Sequence, residues 1–272
     1  MLTARRPQRA GIIIPARYAS TRYPGKPLAE LRGASGVARS LIERSWNAAA
    51  AVPGIEGVWV ATDDERIAAA VDRFGGRVVM TPTDCANGTE RCAAALEKLG
   101  DVADIVVNLQ GDAPLTPAFV VTALIERMRG DPSLPVATPA IRCTRSIYRH
   151  LVNDQAAGRV GGTTVVFDAA GDALYFSKRV IPYLPGDYEA DDVPVYLHMG
   201  VYAYRREALA AYVATPASLL EQVEGLEQLR FLHAGVRVAT VVCPPPDWDV
   251  IELNNPSDLA PVEAALQRSG LD

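Results

Sequence analysis

The chain has 272 residues, 49% of them hydrophobic and 22% charged, with a formal net charge of −5. A chain of this length can bury a core without covalent staples. Its balance excludes a disordered polymer or a surface that coats nucleic acid, and no run approaches the roughly 18 apolar residues of a membrane span. Cysteines stand at 85, 92, 143 and 243 without a C-x-x-C pair, and histidines at 150, 198 and 233 without zinc spacing. Free thiols in a reducing compartment are expected. The start, Met1 to Ala10, carries Arg5, Arg6 and Arg9 with no signal-type apolar stretch behind it, so a frayed basic terminus on a cytoplasmic protein is expected.

In chain order, Gly11 to Pro15 reads as a first buried strand and Val37 to Ala51 as a helix, from the spacing of Val37, Leu41, Ile42 and Trp46. Gly57 to Thr62 is a second strand. The acids Asp63, Asp64 and Glu65 then open a helix through Phe74, at the end where the helix dipole favours them. Arg77 to Met80 is a strand, Thr89 to Leu99 a helix and Ile105 to Leu109 a strand. Thr116 to Arg129 is a helix with Pro117 in its first turn. Thr164 to Phe167 and Ala173 to Phe176 form a hairpin-like pair, Tyr196 to Arg205 a strand, Ser218 to Leu232 a helix, Val236 to Cys243 a late strand and Pro256 to Gln267 a closing helix.

Alternating strands and helices predict an α/β fold: a Rossmann-like, mixed but mostly parallel sheet with helices on both faces and an antiparallel extension from the second half. One domain over 1–272 is expected, with halves of about 11–140 and about 141–272. Ligands of such sheets bind at the carboxyl ends of the strands, where the richest motifs lie.

The first motif is Ile12 to Leu28. It feeds a strand into a loop holding Pro15, Ala16, Arg17, Ser20, Arg22, Gly25 and Lys26. Three cations with a glycine and stiffening prolines make a triphosphate cradle. The second, Gln110-Gly111-Asp112-Ala113-Pro114, places an acid directly after a buried strand, as a Mg²⁺ site needs. The third is Asn87-Gly88-Thr89-Glu90-Arg91, where Gly88 permits close backbone approach. The G-x-G-x-x-G loop of a dehydrogenase is missing after the first strand.

The first loop matches I-P-A-R-x-x-S-x-R-x-P-G-K-P-L at every fixed position and resembles the sugar-acid cytidylyltransferases, the CMP-Kdo synthetase family. The resemblance implies a GT-A-like, homodimeric nucleotidyltransferase that uses CTP and Mg²⁺, with about 11–140 as its CTP-binding half and about 141–272 as its acceptor-binding and dimerisation half. It implies Arg17, Arg22 and Lys26 as triphosphate ligands, with Pro15, Ala16 and Gly88 beside the nucleotide, Arg91 and Gln110 at the cytosine edge, and Asp112 on the metal. Ala173 to Pro182, His198-Met199-Gly200-Val201-Tyr202 and Leu226 to Arg230 resemble the acceptor motifs. They imply acceptor roles for Lys178, Arg179, His198, Tyr202, Glu224, Glu227 and Gln228. Three departures stand out: Lys178 replaces an Arg, Thr164 a Lys, and Asn254 the second metal aspartate, with Glu252 two residues back on the same strand face. Nucleotide motifs kept beside altered acceptor contacts predict transfer of CMP to a small anionic acceptor, with a phosphonate such as phosphonoformate favoured. An eight-carbon sugar acid is the alternative, and a non-catalytic nucleotide-binding protein the alternative of another class.

Overall fold

A computed structural model describes residues 8–20, 22–185, 193–248 and 250–272. Arg5 and Arg6 lie outside them, whereas Arg9 is held by Asp101 at 2.9 Å and is not frayed.

The strands are β1 (Ala10–Ala16), β2 (Glu30–Arg32), β3 (Ala38–Ser40), β4 (Val58–Thr62), β5 (Arg77–Met80), β6 (Ile105–Leu109), β7 (Val136–Arg142), β8 (Thr163–Phe167), β9 (Ala173–Ser177), β10 (Tyr196–His198), β11 (Val201–Tyr204) and β12 (Val238–Cys243). The helices are α1 (Leu41–Ala50), α2 (Glu65–Arg73), α3 (Gly88–Leu99), α4 (Ala118–Gly130), α5 (Arg145–Ala156), α6 (Arg206–Ala214), α7 (Leu219–Glu224), α8 (Leu229–His233) and α9 (Leu259–Arg268). The main sheet runs β5-β4-β1-β6-β11-β7-β10-β8-β9, with β12 also paired to β7. The pairs β5–β4, β4–β1 and β1–β6 are parallel. From β11 onward the pairing turns antiparallel, apart from β12, which runs parallel to β7. The expected mixed α/β fold is what forms.

Side-chain alternation along β1 explains the layering. Ile12 and Ile14 enter the core shared with α1, α2 and α4, while Ile13 joins the opposite core with α3, α6 and α8. Both faces are covered, so β1, β4 and β6 are buried throughout, while β5 at the sheet edge is only partly buried.

Several elements depart from expectation. The helix read from Val37 begins at Leu41, because Ala38–Ser40 pairs with Glu30–Arg32 and the Ser40 hydroxyl caps the helix at Glu43 N. Pro117 precedes α4 as its cap residue. The strand read over Tyr196 to Arg205 is two: both halves pair antiparallel with β7, but β10 continues to β8 and β11 to β6. The helix read over Ser218 to Leu232 is also two, broken at Gly225 with φ of 61°, a left-handed turn that glycine favours. Leu219 and Val223, counted towards its apolar face, are 73% and 76% exposed. β7, α5 and α6 had no counterpart in the sequence reading.

Candidate active site

The four parallel strands point their carboxyl ends to one edge, and a cleft of ≈ 350 Å³ opens there. One wall is the loop after β1. Tyr18 O accepts from Ser20 N and Gly25 N, both at 2.9 Å, folding the loop back on itself. Gly25 sits at φ 71° with the Tyr18 ring 3.1 Å from where a Cβ would stand, so this turn takes glycine alone. The short 3₁₀ turn of residues 26–28, started by Pro27, directs Lys26 inward. Its Nζ lies 2.6 Å from Asp112 Oδ2. Arg17 is exposed and has no ion-pair partner among the described residues. Arg22 donates from Nη2 to Asn254 Oδ1 at 2.9 Å.

The floor is the turn after β6. Ser45 of α1 donates to Gly111 O at 3.0 Å. A Cβ on Gly111 would stand 2.8 Å from Pro15 O, so the two loops touch backbone to backbone. The opposite wall is the start of α3. Asn87 caps the helix through Glu90 N, and Gly88 lies against Pro15, Asn108 and Gln110. Arg91 is 3% exposed and donates to Thr81 Oγ1 at 2.6 Å, with Asp63 Oδ1 at 3.3 Å.

All nine residues expected at the nucleotide, Pro15, Ala16, Arg17, Arg22, Lys26, Gly88, Arg91, Gln110 and Asp112, line this one cleft. Ser20, Cys85, Ala86 and Asn87 line it too and were not expected. Ser20 and Asn87 were legible, since both fall inside the quoted motifs. Cys85 and Ala86 precede the helix in a segment with no signal of its own.

Asp112, Glu252 and Asn254 meet at the mouth. Leu253 N donates to Asp112 O at 3.0 Å, which holds the late segment on the β6 turn. Asn254 Nδ2 reaches Glu252 Oε2 at 3.3 Å. Glu252 is an exposed residue, yet partial desolvation of its carboxyl, and then the Asp112 carboxylate, raises its pKa above the ordinary carboxylate value. Crowded carboxylates are hard oxygen donors whose repulsion a divalent cation relieves. They fit a Mg²⁺ that takes its remaining ligands from phosphate and water. The described residues contain no cluster of three or more acidic, His or Cys donors that would cage a metal unaided. Asn254 Oδ1, the donor in the aspartate's place, is taken up by Arg22.

The seven residues expected at the acceptor do not line this cleft. Glu224 ends α7 and accepts from Ser177 Oγ at 2.8 Å and Lys178 N at 2.9 Å. The Lys178 ammonium rests over Gly225, 2.8 Å from where a Cβ would stand. Arg179 is exposed, and its carbonyl accepts from Thr164 Oγ1 at 2.6 Å. Tyr202 is 3% exposed and stacks on Tyr204 with ring centroids 5.8 Å apart. Gln228 is 2% exposed, with its Nε2 unpartnered among the described residues. Glu227 Oε2 accepts from Thr89 N at 3.2 Å, and burial pushes its carboxyl up to about 7 against that hydrogen bond. His198 is buried, its Nε2 2.9 Å from Thr138 Oγ1, and desolvation lowers its pKa to about 3, so the ring is neutral.

The cytidylyltransferase family model matches residues 11–238. The 3-deoxy-manno-octulosonate cytidylyltransferase of Maricaulis maris (strain MCS10) is 46% identical over 258 residues, 95% of this chain and 97% of that protein. The 8-amino-3,8-dideoxy-manno-octulosonate cytidylyltransferase of Shewanella baltica (strain OS195) is 39% identical over 259 residues, 94% and 97% of the two chains. Among solved structures, a CMP:2-keto-3-deoxy-manno-octonic acid synthetase complexed with CTP shares the fold with a TM-score of 0.81 at 38% identity. That match covers 96% of this chain and 99% of the other.

Proposed function

The chain belongs to the cytidylyltransferase family, and from that membership we propose that it transfers CMP from CTP to an eight-carbon 3-deoxy sugar acid, releasing pyrophosphate. The observation that carries the reading is the cleft itself. Arg17, Arg22 and Lys26 from the β1 loop face Asp112 from the β6 turn and the α3 entry across ≈ 350 Å³.

Arg17, Arg22 and Lys26 balance the charge of the triphosphate and hold its α-phosphorus open to a hydroxyl of the acceptor. The oxygen attacks in line, the bond from the α-phosphorus to the bridging oxygen breaks with its electron pair leaving on pyrophosphate, and the hydroxyl proton passes to solvent. The Lys26–Asp112 ion pair leaves 13% and 23% of the two side chains exposed, and in this reading a triphosphate oxygen takes over Lys26 as Asp112 turns to the metal. The reading assigns Arg91 and Gln110, which line the cleft, to the cytosine edge, with the backbone of the α3 entry beside it at Gly88. Mg²⁺ at Asp112, when bound, supplies charge neutralisation for the leaving pyrophosphate. Catalysis by these residues is positioning and electrostatics. The reading carries with it a homodimer working in the cytoplasm.

The phosphonate preference gives way. Relatives matched over nearly the whole chain are named for eight-carbon acids. The departures that suggested a phosphonate also have local roles: Thr164 fastens the Arg179 carbonyl and Ile181 N, and Asn254 holds Arg22. The non-catalytic alternative rested on Asn254 alone, and the cradle and Asp112 stand intact beside it.

Steady-state turnover with CTP and Mg²⁺ tests the acceptor. The expected order of kcat/KM places 3-deoxy-manno-octulosonate or its 8-amino analogue at least about tenfold above phosphonoformate, a gap of about 1.4 kcal/mol in transition-state binding. Turnover of phosphonoformate with neither sugar acid accepted would overturn the reading.

A further inference from the structure

Arg230 closes the Leu226 to Arg230 motif, whose resemblance assigns it to the acceptor side, yet its contacts lead elsewhere. Its side chain is 6% exposed and, unlike that of Arg91, does not line the cleft. The guanidinium grips Glu221 with a fork, Nε to Oε2 at 2.7 Å and Nη2 to Oε1 at 2.6 Å. Nη1 reaches Glu90 Oε1 at 2.9 Å. The second oxygen of Glu90 accepts from Ala86 N at 2.8 Å. Tyr212 lies under the guanidinium at 4.2 Å, and its hydroxyl accepts from Asn87 Nδ2 at 2.9 Å. Asn87 is thereby held at both ends of its amide, since its Oδ1 accepts from Glu90 N. Two residues on, Glu227 accepts from Thr89 N, and Tyr204 OH meets Thr89 Oγ1 at 2.9 Å.

These bonds converge on residues 86–89, three of which line the cleft. We propose that Arg230, with Glu221, Glu90 and Tyr212, is a positioning set for this loop and so serves the nucleotide, not the acceptor. The set works at one remove: none of the four lines the cleft, and each acts through Ala86 N or the Asn87 amide. The loop has little slack on its other side, because a Cβ on Gly88 would already stand 3.3 Å from Pro15 and 3.4 Å from Gln110. A loop clamped from behind and seated in front presents its backbone to the nucleotide in one geometry, and loss of the clamp misplaces it. The inference rests on the reading of the cleft as the CTP site.

The test is calorimetric CTP affinity in Mg²⁺ without acceptor, alongside the acceptor KM at saturating CTP, for the wild type, Tyr212→Phe, Glu90→Gln and Glu90→Ala. Arg230→Lys, which loses the fork, is added if it folds. Tyr212→Phe and Glu90→Gln keep side-chain shape, and thermal denaturation within a few degrees of the wild type verifies folding. CTP affinity is expected to fall about three- to tenfold in each, the size of one hydrogen bond, with the acceptor KM unchanged within about twofold. Glu90→Gln retains more affinity than Glu90→Ala, because the glutamine oxygen still accepts from Ala86 N. Folded variants that bind CTP like the wild type, or that raise only the acceptor KM, overturn the inference alone. A wild type that binds no CTP overturns the reading beneath it and the inference together.

Discussion

Glycine 111 shows how much of the site depends on the absence of a single atom. A methyl group there would stand 2.8 Å from the Pro15 carbonyl oxygen, which is backbone and has no rotamer to retreat into. Gly111→Ala must therefore push the β6 turn off the β1 loop and carry Asp112 away from Lys26. The expected result is a loss of about a hundredfold in kcat/KM for CTP, with a stability loss of about 1–3 kcal/mol from overpacking. Steady-state kinetics and denaturant melts read the two effects, and near-wild-type kinetics would mean that the loops adjust independently. At this scale the nucleotide side was legible because its residues sit in short loops between strong strand and helix signals. Each such loop reaches the cleft whatever the details of packing. Asn254 was legible only as a departure. Its bond to Arg22, 232 residues away in sequence, gives that side chain work that spacing could not suggest.

Among the elements, the break between β10 and β11 is held by one stitch. Thr138 of β7 donates from Oγ1 to the Val201 carbonyl and lies 2.9 Å from His198 Nε2, so one hydroxyl joins both half-strands to the strand beside them. Phe176 and Tyr202 pack around the imidazole. Desolvation lowers the His198 pKa from 6.5 to about 3. The unfolded chain then binds the proton more readily than the native one, and the contribution is complete above pH 6.5 and lost as pH falls towards 3. Between the wild type and His198→Gln, the stability gap is expected to shrink by about 1.4 kcal/mol per pH unit across that window. Urea melts at pH 7, 6 and 5 measure it, and a constant gap would show that the ring titrates in the native state as it does in the unfolded chain. The sequence concealed this element because Tyr196 to Arg205 is one unbroken run of mostly strand-forming residues, and only pairing on to β8 and β6 divides it. Ser218 to Leu232 misled in the same way. Its leucines keep helical spacing across Gly225, where the chain turns. β7 escaped notice because Pro139 interrupts a stretch that β11, β10 and β12 stabilise from outside, a tertiary effect that local propensity does not carry.

For the molecule as a whole, parallel order in β5-β4-β1-β6 does most to create function. It sends each of those strands' following loops to one edge, and the cradle, the β6 turn and the α3 entry meet there. The later strands change direction, yet Gly200, at the start of β11, still reaches that edge: a Cβ on it would stand 3.8 Å from both Gln110 and Glu252. The residues expected at the acceptor were harder to place from sequence because their surroundings are built by contacts between distant elements, such as Glu224 with Ser177 and Glu227 with Thr89. The central claim, that this edge moves CMP from CTP to a sugar acid, is tested most directly by ³¹P NMR of the enzyme with CTP, Mg²⁺ and 3-deoxy-manno-octulosonate. The account predicts that the three CTP resonances are replaced by one phosphodiester resonance and inorganic pyrophosphate in equal molar amounts, only when the sugar acid is present. An unchanged CTP spectrum, or release of free CMP with no new phosphodiester, would contradict it.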